Sequence, residues 1–412
     1  MEHISQLTAE IRDKAAYPDI LVISRIFLPK EAVIGEYIYN RCLQDPERVI
    51  VLAASCSGDR VFDRGQQFPV YRWYHPTYWR SSCVESVLKP LVNIVCSFVL
   101  AIKLYFRYHY RYIEWGHGYD FPSLLLLSYL LPIRFFIYLH GNDFLCTLHN
   151  PVLRSLFKLT LKRAEGIVCN SSYTRDYLRT AFRLDTPTHV INPVIRPEKF
   201  GNNVASPSSL DDLRVRVRQM YNIPETAIVI LSIGRLIKPK GFDRIIENIP
   251  LLLTFGFDVH YIVCGQGQSE SALKSLAHRL RVDKRVHFAG YQPERELVGY
   301  YAACDIFAML TLSEAKATPN NMEGFGMVYL EASYFGKPII ASRLGGVLDT
   351  VQHEENGILV NPNSGYEVFQ AFNQLCKDQQ LREQLGRKGK ELANRRTLHR
   401  SLYKSEGRNT IL

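Results

Sequence analysis

The chain of 412 residues is longer than one ordinary domain and suits two domains of roughly 200 residues each. Apolar residues make up 47% and charged residues 22%, a balance that excludes a disordered chain, a fibre and a small disulfide scaffold. The 50 Lys and Arg residues outnumber the 40 Asp and Glu residues, which gives a formal charge of +10. This excess suits a nucleotide, a nucleic acid or a membrane surface, and it equally suits a merely basic protein.

The nine cysteines predict no disulfide or zinc framework. Their number is odd, no two form a Cys-x-x-Cys pair, and several stand in apolar runs. Buried thiols in a reducing compartment are therefore expected. The N-terminus has no basic region followed by an apolar stretch, and the longest apolar run, residues 91–102, is too short for a bilayer. We expect a cytoplasmic protein, with peripheral attachment to the inner face of a membrane left open.

Apolar strand candidates alternate with helix candidates through both halves of the chain. Strands are predicted at 19–26, 49–54, 135–140, 166–170, 189–192, 227–233, 259–264, 285–289, 305–310 and 338–342. Helices are predicted at 37–43, 85–106, 151–163, 242–253, 270–280, 294–303, 326–335 and 366–375. Continuous apolar strands that alternate with helices are typical of parallel sheets covered on both faces.

The predicted organisation is two domains and a linker. The stretch 201–212 is polar, contains Gly, Pro and Ser, and indicates a linker between domains 1–200 and 213–385. Residues 386–412 would form a C-terminal helix or tail, with a return to the first domain as one option. We expect an α/β fold with two Rossmann-like, doubly wound parallel sheets facing across a cleft, because ligands bind at the carboxyl ends of such strands.

The first chemical motif is the loop 232–241, which follows a predicted strand. Gly234 allows a tight turn, Arg235 and Lys240 place two cations beyond the strand, and Gly241 precedes the next helix. Two cations near a helix N-terminus can clamp a diphosphate. Taken alone, these cations are equally typical of a solvated basic loop.

The second motif places two carboxylates around the start of a predicted helix. Glu323 precedes the helix, Gly324 and Gly326 let a ligand approach the backbone, and Glu331 lies within the helix. The two carboxylates could hold sugar hydroxyls at two places on one extended ligand. The alternative is a Glu323 that only favours the helix dipole and a Glu331 that is solvated.

The two motifs in this order and separation resemble the donor domain of the retaining family 4 glycosyltransferases, which have the GT-B fold. The resemblance covers residues 227–362, and its Glu-Gly-Phe-Gly form is similar to that of bacterial mannosyltransferases. The matching positions are Gly234-Arg235, Lys240-Gly241, Cys264-Gly265-Gln266-Gly267, His287 to Tyr291, Glu323, Glu331, Lys337-Pro338 and Gly345-Gly346.

The resemblance implies transfer of a hexosyl group, mannosyl among the options, from a nucleotide-diphosphate sugar to a hydroxyl of a glycolipid or polysaccharide precursor, with retention. Family precedent gives Glu331 the ribose hydroxyls, Glu323 the transferred sugar, and Arg235 and Lys240 the leaving diphosphate. The implied donor-binding set is Gly234, Arg235, Lys240, Gly290, Glu323, Gly324, Phe325, Gly326, Met327, Glu331 and, from the first domain, Gly35. The implied catalytic set is His140, Glu323, Arg235 and Lys240.

The first half resembles the family's acceptor domain less closely. His140, in the segment 138–143, stands at a strand end as in the family's His-Gly segment, and the resemblance implies that it contacts the transferred sugar from the opposite domain. Residues 170–174 resemble an Asn-Ser-x-x-Thr segment, and Asn192 lies in the motif before the linker. His117 is the competing histidine, and we expect it to be a turn residue.

One loop departs from the family pattern. The family usually has a Gly-Gly pair after Phe-x-Pro, whereas this chain has Ala32 and Val33 there and a glycine only at Gly35. Because a branched residue such as Val33 does not easily take positive φ, two outcomes stay open. Either the loop uses Gly35, or donor binding and turnover are impaired.

No metal or cofactor is expected, because the chain has no Asp-x-Asp and a GT-B enzyme uses cations and a helix dipole instead.

A separate expectation concerns residues 71–115, which hold all three tryptophans (Trp73, Trp79 and Trp115) and more cations than acids. Such a segment suits an anionic membrane interface and a lipid-linked acceptor. The alternative is a core helix with a solvated basic end.

Other functions remain open from sequence. A sugar-nucleotide epimerase or a phosphorylase would share the architecture, and a nucleotide-sugar-binding protein without turnover would fit the altered first loop. No helix-turn-helix, RNA-recognition or zinc module supports nucleic-acid binding. A dinucleotide dehydrogenase is disfavoured, because Gly265-x-Gly267 lacks the third glycine and has Glu270 in its place.

Overall fold

The computed structural model describes residues 18–30, 32–75, 82–201, 207–312, 323–396 and 402. The chain forms two units, of which the first runs to Asn192 and the second begins at Pro193. The stretch 201–212, predicted as the linker, lies in the second unit, and its second half begins the helix Pro207–Met220. Its Pro and Ser residues start a helix here, because the same residue types favour linkers and helix N-termini.

The first unit is a seven-stranded parallel sheet in the order β3-β2-β1-β4-β5-β6-β7. The inner strands β1 and β2 are buried along their whole length, which explains their continuous runs of Ile, Val and Leu. The strands are β1 Ile20–Ser24, β2 Val49–Ala54, β3 Val70–Trp73, β4 Tyr112–Trp115, β5 Arg134–Leu139, β6 Gly166–Cys169 and β7 Thr188–Val190.

Helices connect these strands, and two of them begin with a side-chain cap. Asn150 accepts hydrogen bonds from the amides of Val152 and Leu153, and Ser171 accepts one from Thr174. The helices are α1 Val33–Cys42, α2 Asp59–Arg64, α3 Ser82–Tyr108, α4 Phe121–Leu130, α5 Asn142–Leu145, α6 Pro151–Arg163 and α7 Ser172–Phe182.

The second unit is a six-stranded parallel sheet in the order β10-β9-β8-β11-β12-β13. Its strands are β8 Ile228–Ile233, β9 Val259–Cys264, β10 Val286–Gly290, β11 Ile306–Met309, β12 Ile339–Ser342 and β13 Gly357–Val360. Its helices are α8 Pro207–Met220, α9 Phe242–Thr254, α10 Glu270–Arg279, α11 Glu294–Ala303, α12 Met327–Tyr334, α13 Gly365–Lys377 and α14 Gln379–Arg395. Short 3-10 turns occur at Pro197–Phe200, Lys238–Lys240 and Gly345–Asp349.

The strand order identifies one edge of each sheet as the place for ligands. In both units the order reverses beside the first strand, between β1 and β4 and between β8 and β11. In doubly wound sheets, ligands bind outside the carboxyl ends of the strands at this reversal. The prediction of two doubly wound parallel sheets is therefore confirmed, and the loops after these strands are where functional side chains should lie.

The C-terminal boundary predicted at residue 385 falls inside a helix. Helix α14 runs to Arg395 and packs against α12, so residues 386–395 belong to the second unit. Among the residues beyond it, the structure describes Leu402, whose side chain packs against the hydrophobic core of the first unit. The rest of the predicted tail lies outside the described residues.

The described cysteines follow the sequence prediction. Seven of them are free thiols, and five of those, Cys42, Cys169, Cys264, Cys304 and Cys376, are buried. Burial raises the pKa of the Cys376 thiol to about 12, so it stays protonated and unreactive at neutral pH. The side chains of Cys83 and Cys146 lie outside the described part.

Candidate functional site

The loop after β8 is built against the ends of neighbouring strands. The amide of Gly234 donates to the carbonyl of Cys264 at 3.0 Å, at the end of β9. Gly241 has φ +69, and a Cβ atom there would lie 1.8 Å from the carbonyl oxygen of Leu310. Only glycine fits this position. Its close contact with the backbone after β11 holds the loop and its two cations at the reversal point between β8 and β11.

The two predicted phosphate cations have different surroundings. Lys240 is partly buried and forms an ion pair with Glu323, the carboxylate predicted for the transferred sugar. Arg235 is exposed, and no hydrogen bond or ion pair joins its guanidinium to any of the described residues. The structure thus brings together two predicted site residues that lie far apart in sequence, and it leaves the Arg235 guanidinium facing solvent at the same loop.

The glycine-rich segment before α12 packs against a second glycine pair. The carbonyl of Glu323 accepts a hydrogen bond from the amide of Gly346 at 2.9 Å. A Cβ atom on Gly346 would lie 2.0 Å from the carbonyl oxygen of Gly324, so no larger residue fits. Gly326 has φ +83 and precedes α12, while the side chains of Phe325 and Met327 are buried. The segment presents backbone and the Glu323 carboxylate rather than apolar side chains.

Glu331 is buried and both of its oxygens accept hydrogen bonds, so the alternative of a solvated helix residue is wrong. One carboxylate oxygen accepts from the Lys199 ammonium at 2.6 Å and the other from the Tyr301 hydroxyl at 2.7 Å. Burial raises the pKa of Tyr301 well above its ordinary value, and the Glu331 charge raises it further. Tyr301 therefore stays protonated and donates to Glu331.

Like Tyr301, Lys199 is a residue of this cluster that the sequence did not reveal. It lies in the turn Pro197–Phe200, and its side chain, 5% exposed, also contacts a Glu294 oxygen at 3.3 Å. The Phe200 ring packs against that of Phe335 at 5.0 Å and fixes the turn. In the sequence, a lysine in a polar segment close to a proline looks like a solvated residue. The apolar neighbour Phe200 was the signal that this turn could be buried.

Gly290 ends β10 with φ +71 and has open space where a side chain would lie. Its carbonyl accepts from the amide of Gly265 at 2.7 Å. A Cβ atom on Gly265 would lie 1.9 Å from the carbonyl oxygen of Gly234. Three of the predicted glycine positions therefore join the ends of β8, β9 and β10 at one edge of the sheet.

In the first unit, His140 follows β5 and is fixed by backbone contacts. Its Nε2 lies 3.0 Å from the Gly116 carbonyl oxygen, so Nε2 carries the proton and Nδ1 is left as an acceptor. The Asp143 carboxylate accepts from the His140 amide at 2.9 Å, and the Tyr37 ring packs edge-on against the imidazole. Burial lowers the pKa of His140, so the imidazole is neutral at pH 7.

The Asn-Ser-x-x-Thr segment ties neighbouring strand ends together. Asn170 accepts from the Thr174 hydroxyl at 2.9 Å and donates to the His140 carbonyl at 3.4 Å. The Asn192 amide group donates to the carbonyl of Asn170 at 3.1 Å. The motif thus supports the His140 turn and caps α7.

His117 is a turn residue, as expected. It is 1% exposed, its Nε2 accepts from the Arg25 amide at 3.0 Å, and its Nδ1 lies 3.1 Å from the Tyr119 carbonyl oxygen. Both ring nitrogens are satisfied by backbone groups. Burial lowers its pKa well below the ordinary value, so the ring is a neutral structural link after β4.

The departure in the first loop does not strain the backbone. Ala32 has φ −162, which is extended, and Val33 is the first residue of α1, so the concern about positive φ at Val33 is wrong. Gly35 lies buried in the first turn of α1, where a Cβ atom would lie 3.4 Å from the carbonyl oxygen of Lys30. Its missing side chain lets the preceding loop lie on the helix, and its part in donor binding stays a prediction.

We found no metal site in the parts of the chain that the structure covers, where no group of three or more His, Cys, Asp or Glu side chains could hold an ion. The carboxylates nearest the candidate site are already paired, Glu323 with Lys240 and Glu331 with Lys199. Metal independence of the reaction stays a proposal.

Acidification should lower the free energy of unfolding between pH 7.5 and 5.5. Burial lowers the pKa of several described histidines in the folded state, namely His75, His117, His140, His260 and His287, the last to about 4. Below about pH 6.5 the unfolded chain therefore binds more protons than the folded chain, so stability is full above that pH and falls below it. Burial raises the pKa of Asp120 to about 6, so this one carboxyl group changes the stability in the opposite direction on acidification.

Urea unfolding at the two pH values measures the effect. The His278→Gln variant is the matched control, because that imidazole is 86% exposed and its loss should leave the pH dependence unchanged. Equal unfolding free energies at both pH values would contradict the prediction.

Two family models match this chain, and both describe glycosyltransferases. The model described as Glycosyltransferase Family 4 matches residues 45–199, and that described as Glycosyl transferases group 1 matches residues 214–392. The chain belongs to the family 4 glycosyltransferases. The first match covers the first unit from residue 45 and continues over residues 193–199, and the second match lies within the second unit. The His140 turn lies in the first match, and Glu323 and Glu331 lie in the second.

Several curated relatives are mannosyltransferases. The GDP-mannose-dependent alpha-(1-6)-phosphatidylinositol monomannoside mannosyltransferase of Mycobacterium tuberculosis is 29% identical over 58% of this chain and 60% of its own length. This chain therefore spans less than two thirds of that relative. The GDP-mannose-dependent monoacylated alpha-(1-6)-phosphatidylinositol monomannoside mannosyltransferase of Corynebacterium glutamicum is 24% identical over 90% of this chain and 92% of its own.

Solved structures share the GT-B fold. Anabaena Alr3699/HepE, crystallised with UDP and glucose, has a TM-score of 0.71 and 20% identity over 92% of this chain and 95% of its own. Sucrose-phosphate synthase from Thermosynechococcus elongatus has a TM-score of 0.68 and 18% identity over 91% and 94%. At these identities the likeness concerns the fold, and it confirms the predicted GT-B class.

Proposed function

We propose that this family 4 protein transfers a hexosyl group, mannosyl by preference, from a nucleotide-diphosphate sugar to a hydroxyl of a glycolipid. The observation that carries the proposal is the contact between Lys240 and Glu323 at the reversal point of the second sheet, beside the exposed Arg235. The GDP-mannose-dependent relatives support the mannosyl preference and the glycolipid acceptor.

The cations act on the leaving group. As the glycosidic bond breaks, negative charge grows on the nucleoside diphosphate, and fixed positive charge at that place lowers the barrier. The Lys240 ammonium has three donors, so it can keep its contact with Glu323 while it donates to a phosphate oxygen. Arg235 supplies a planar, permanently charged partner for the second phosphate.

We assign Glu331 to the ribose hydroxyls of the donor. Glu331 already accepts from Lys199 and Tyr301, yet a carboxylate has about four lone-pair sites, so ribose hydroxyls can still donate to it. We assign to His140 a contact with the transferred sugar through Nδ1, because Nε2 is committed to Gly116. Both assignments follow the family resemblance. With Glu323 bound to Lys240, we propose retention by front-face substitution rather than by a covalent intermediate.

The reaction should need no divalent metal, since Lys240 and Arg235 together with the positive end of a helix supply the charge that a metal would bring.

The second candidate, a protein that binds nucleotide sugars without turnover, drew its support from Ala32 and Val33. The unstrained backbone at both positions weakens that support, and an epimerase has no separate feature in its favour.

A donor panel followed by a transfer assay tests the proposal. GDP-mannose should raise the Tm more than UDP-glucose does, because a ligand that binds the folded state stabilises it by mass action. Nucleoside diphosphate should then be released only when a glycolipid acceptor is present, and chelator should leave the rate unchanged. Donor-induced stabilisation without acceptor-dependent release would favour the binding protein, and loss of rate in chelator with recovery in manganese would contradict metal independence.

A further inference from the structure

Three helices of the first unit lie side by side in one layer. The right-handed connections that lead from β3 to β4, β5 and β6 place α3, α4 and α6 on the same side of the sheet. The Ser97 hydroxyl of α3 bonds to that of Ser123 in α4 at 3.0 Å. The Arg163 guanidinium of α6 donates to the Ser128 carbonyl of α4 at 2.7 Å, so α4 lies between the other two helices.

The outward side of α3 is an exposed apolar stripe. Leu91, Val95, Val99 and Phe106 recur at helical spacing, and each exposes between 50% and 70% of its side-chain surface. The segment Leu88–Tyr108 is long and apolar enough to cross a membrane by length and composition, yet only 22% of its most apolar stretch is buried. A core helix of this hydropathy would be mostly buried.

The stripe continues over the two neighbouring helices. Leu126 and Leu130 of α4 are 49% and 62% exposed, and Val152 and Leu159 of α6 are 66% and 39% exposed. We call the outward side of Leu88–Tyr108, α4 and α6 the three-helix face. Exposed apolar side chains on three adjacent helices are unusual on a protein that stands alone in water, and they indicate an interaction site.

The charge of the three-helix face is of one sign. Segment Leu88–Tyr108 contains three cations and α6 contains four, whereas neither this segment, α6 nor α4 contains an Asp or Glu, and the one acid of α3, Glu85, precedes the segment. Lys103 and Lys162 are exposed and stand beside the apolar side chains. Apolar side chains interleaved with exposed cations such as Lys103 and Lys162 match the interfacial layer of an anionic bilayer.

The inward side of α3 is bonded to its own unit, which argues against a helix that crosses a bilayer. Asn93 accepts from the indole N–H of Trp73 at 3.0 Å, and Ser97 bonds to α4, so a polar edge of the helix is fixed to its own unit. Trp73 and Trp115 are 3% and 1% exposed, which corrects the expectation that these tryptophans anchor the protein at a membrane. Trp79 lies outside the described residues.

We propose that the three-helix face docks on an anionic lipid bilayer, with its helices parallel to the surface. A second copy of this chain is a poor occupant, because the same face on the partner would bring exposed cations such as Lys103 and Lys162 against cations. The docking rests on surface chemistry in the first unit and does not depend on the proposed transfer reaction.

Co-sedimentation of the full chain with vesicles tests the docking. The protein should bind phosphatidylcholine vesicles that contain 30% phosphatidylglycerol at low salt, bind neutral vesicles much less, and dissociate as salt rises. The charge reversal Lys103→Glu with Lys162→Glu should weaken binding by roughly fivefold or more per position, since each basic residue near the surface contributes about that factor. Val99→Asp should weaken binding to the same vesicles even at low salt.

Matched variants keep the test specific. Lys284→Glu with Lys377→Glu changes the net charge equally in the second unit, and Val61→Asp alters an apolar side chain that is 79% exposed on α2. Both should bind like the parent protein. Equal loss in these controls, no binding to anionic vesicles at low salt, or self-association that the face variants abolish would each overturn the proposal. Donor-induced thermal shifts in the face variants report separately on the second unit, so failure of docking and failure of the proposed function are distinguishable.

Discussion

Replacing Lys240 with methionine should lower the rate of sugar transfer by about a hundredfold to a thousandfold. The ammonium is the charged donor held nearest to Glu323, and the removal of one preorganised donor from a developing negative charge costs about that factor. Donor affinity should fall less than the rate, because the charge on the leaving diphosphate is greater in the transition state than in the bound donor. Steady-state transfer assays and donor-induced thermal shifts measure the two effects.

Two variants separate the Lys240 chemistry from structural damage. Lys238→Met removes an exposed cation from the same turn and should leave the rate within about twofold, since exposed charges contribute little. Glu323→Gln in combination with Lys240→Met should cost less than the sum of the single effects, because the two side chains are in contact. A Lys240→Met protein with unchanged kcat would refute the assignment of this cation to the diphosphate.

The Lys199→Met variant should destabilise the second unit by about 3–5 kcal/mol. Its ammonium is 5% exposed and neutralises Glu331, which is 8% exposed, so the substitution leaves a buried carboxylate without its cation. For a unit of this size the loss corresponds to a fall in Tm of roughly 10 °C. Thermal and urea unfolding of the purified variant measure it, and the protein should also bind nucleotide more weakly if Glu331 accepts from ribose.

The control for Lys199 is an ion pair of similar length on the surface. Lys274 lies 2.7 Å from Glu270, but its side chain is 55% exposed, so Lys274→Met should cost less than about 1 kcal/mol. The pair Lys199→Met with Glu331→Gln should recover part of the stability, because the buried charge is then gone. If Lys199→Met costs no more than Lys274→Met, the buried pair does not hold this site together.

Long apolar strands were the elements that could be predicted from the sequence. Strands β2 and β9 and helix α6 lie where their periodicity predicts, because buried parallel strands and well-capped helices carry a strong local pattern. Strands β3, β4 and β13 were missed, because β3 and β4 each contain a charged residue within four residues and β13 begins with a glycine. In β4 that residue is Glu114, which is buried and accepts from the Arg41 guanidinium at 2.7 Å.

The candidate site was predicted in its residue types and not in its pairings. Glycine motifs predict close backbone approaches. At Gly241 and Gly346 the structure has carbonyl oxygens where a side chain would have to lie. The cluster around Glu331 was not predictable, because Lys199 is separated from it by more than a hundred residues. A contact between residues so distant in sequence leaves no local pattern.

By itself, the sequence determined the family, the two parallel sheets and the charged residues of the candidate site, because these depend on short-range patterns and fixed spacings. Only the tertiary structure decided that Glu331 is held by Lys199, that Val33 needs no unusual backbone, and that Trp73 and Trp115 are core residues. It also decided which side of α3 remains exposed. Burial and pairing depend on which elements pack together, and a single amino-acid sequence does not show that packing.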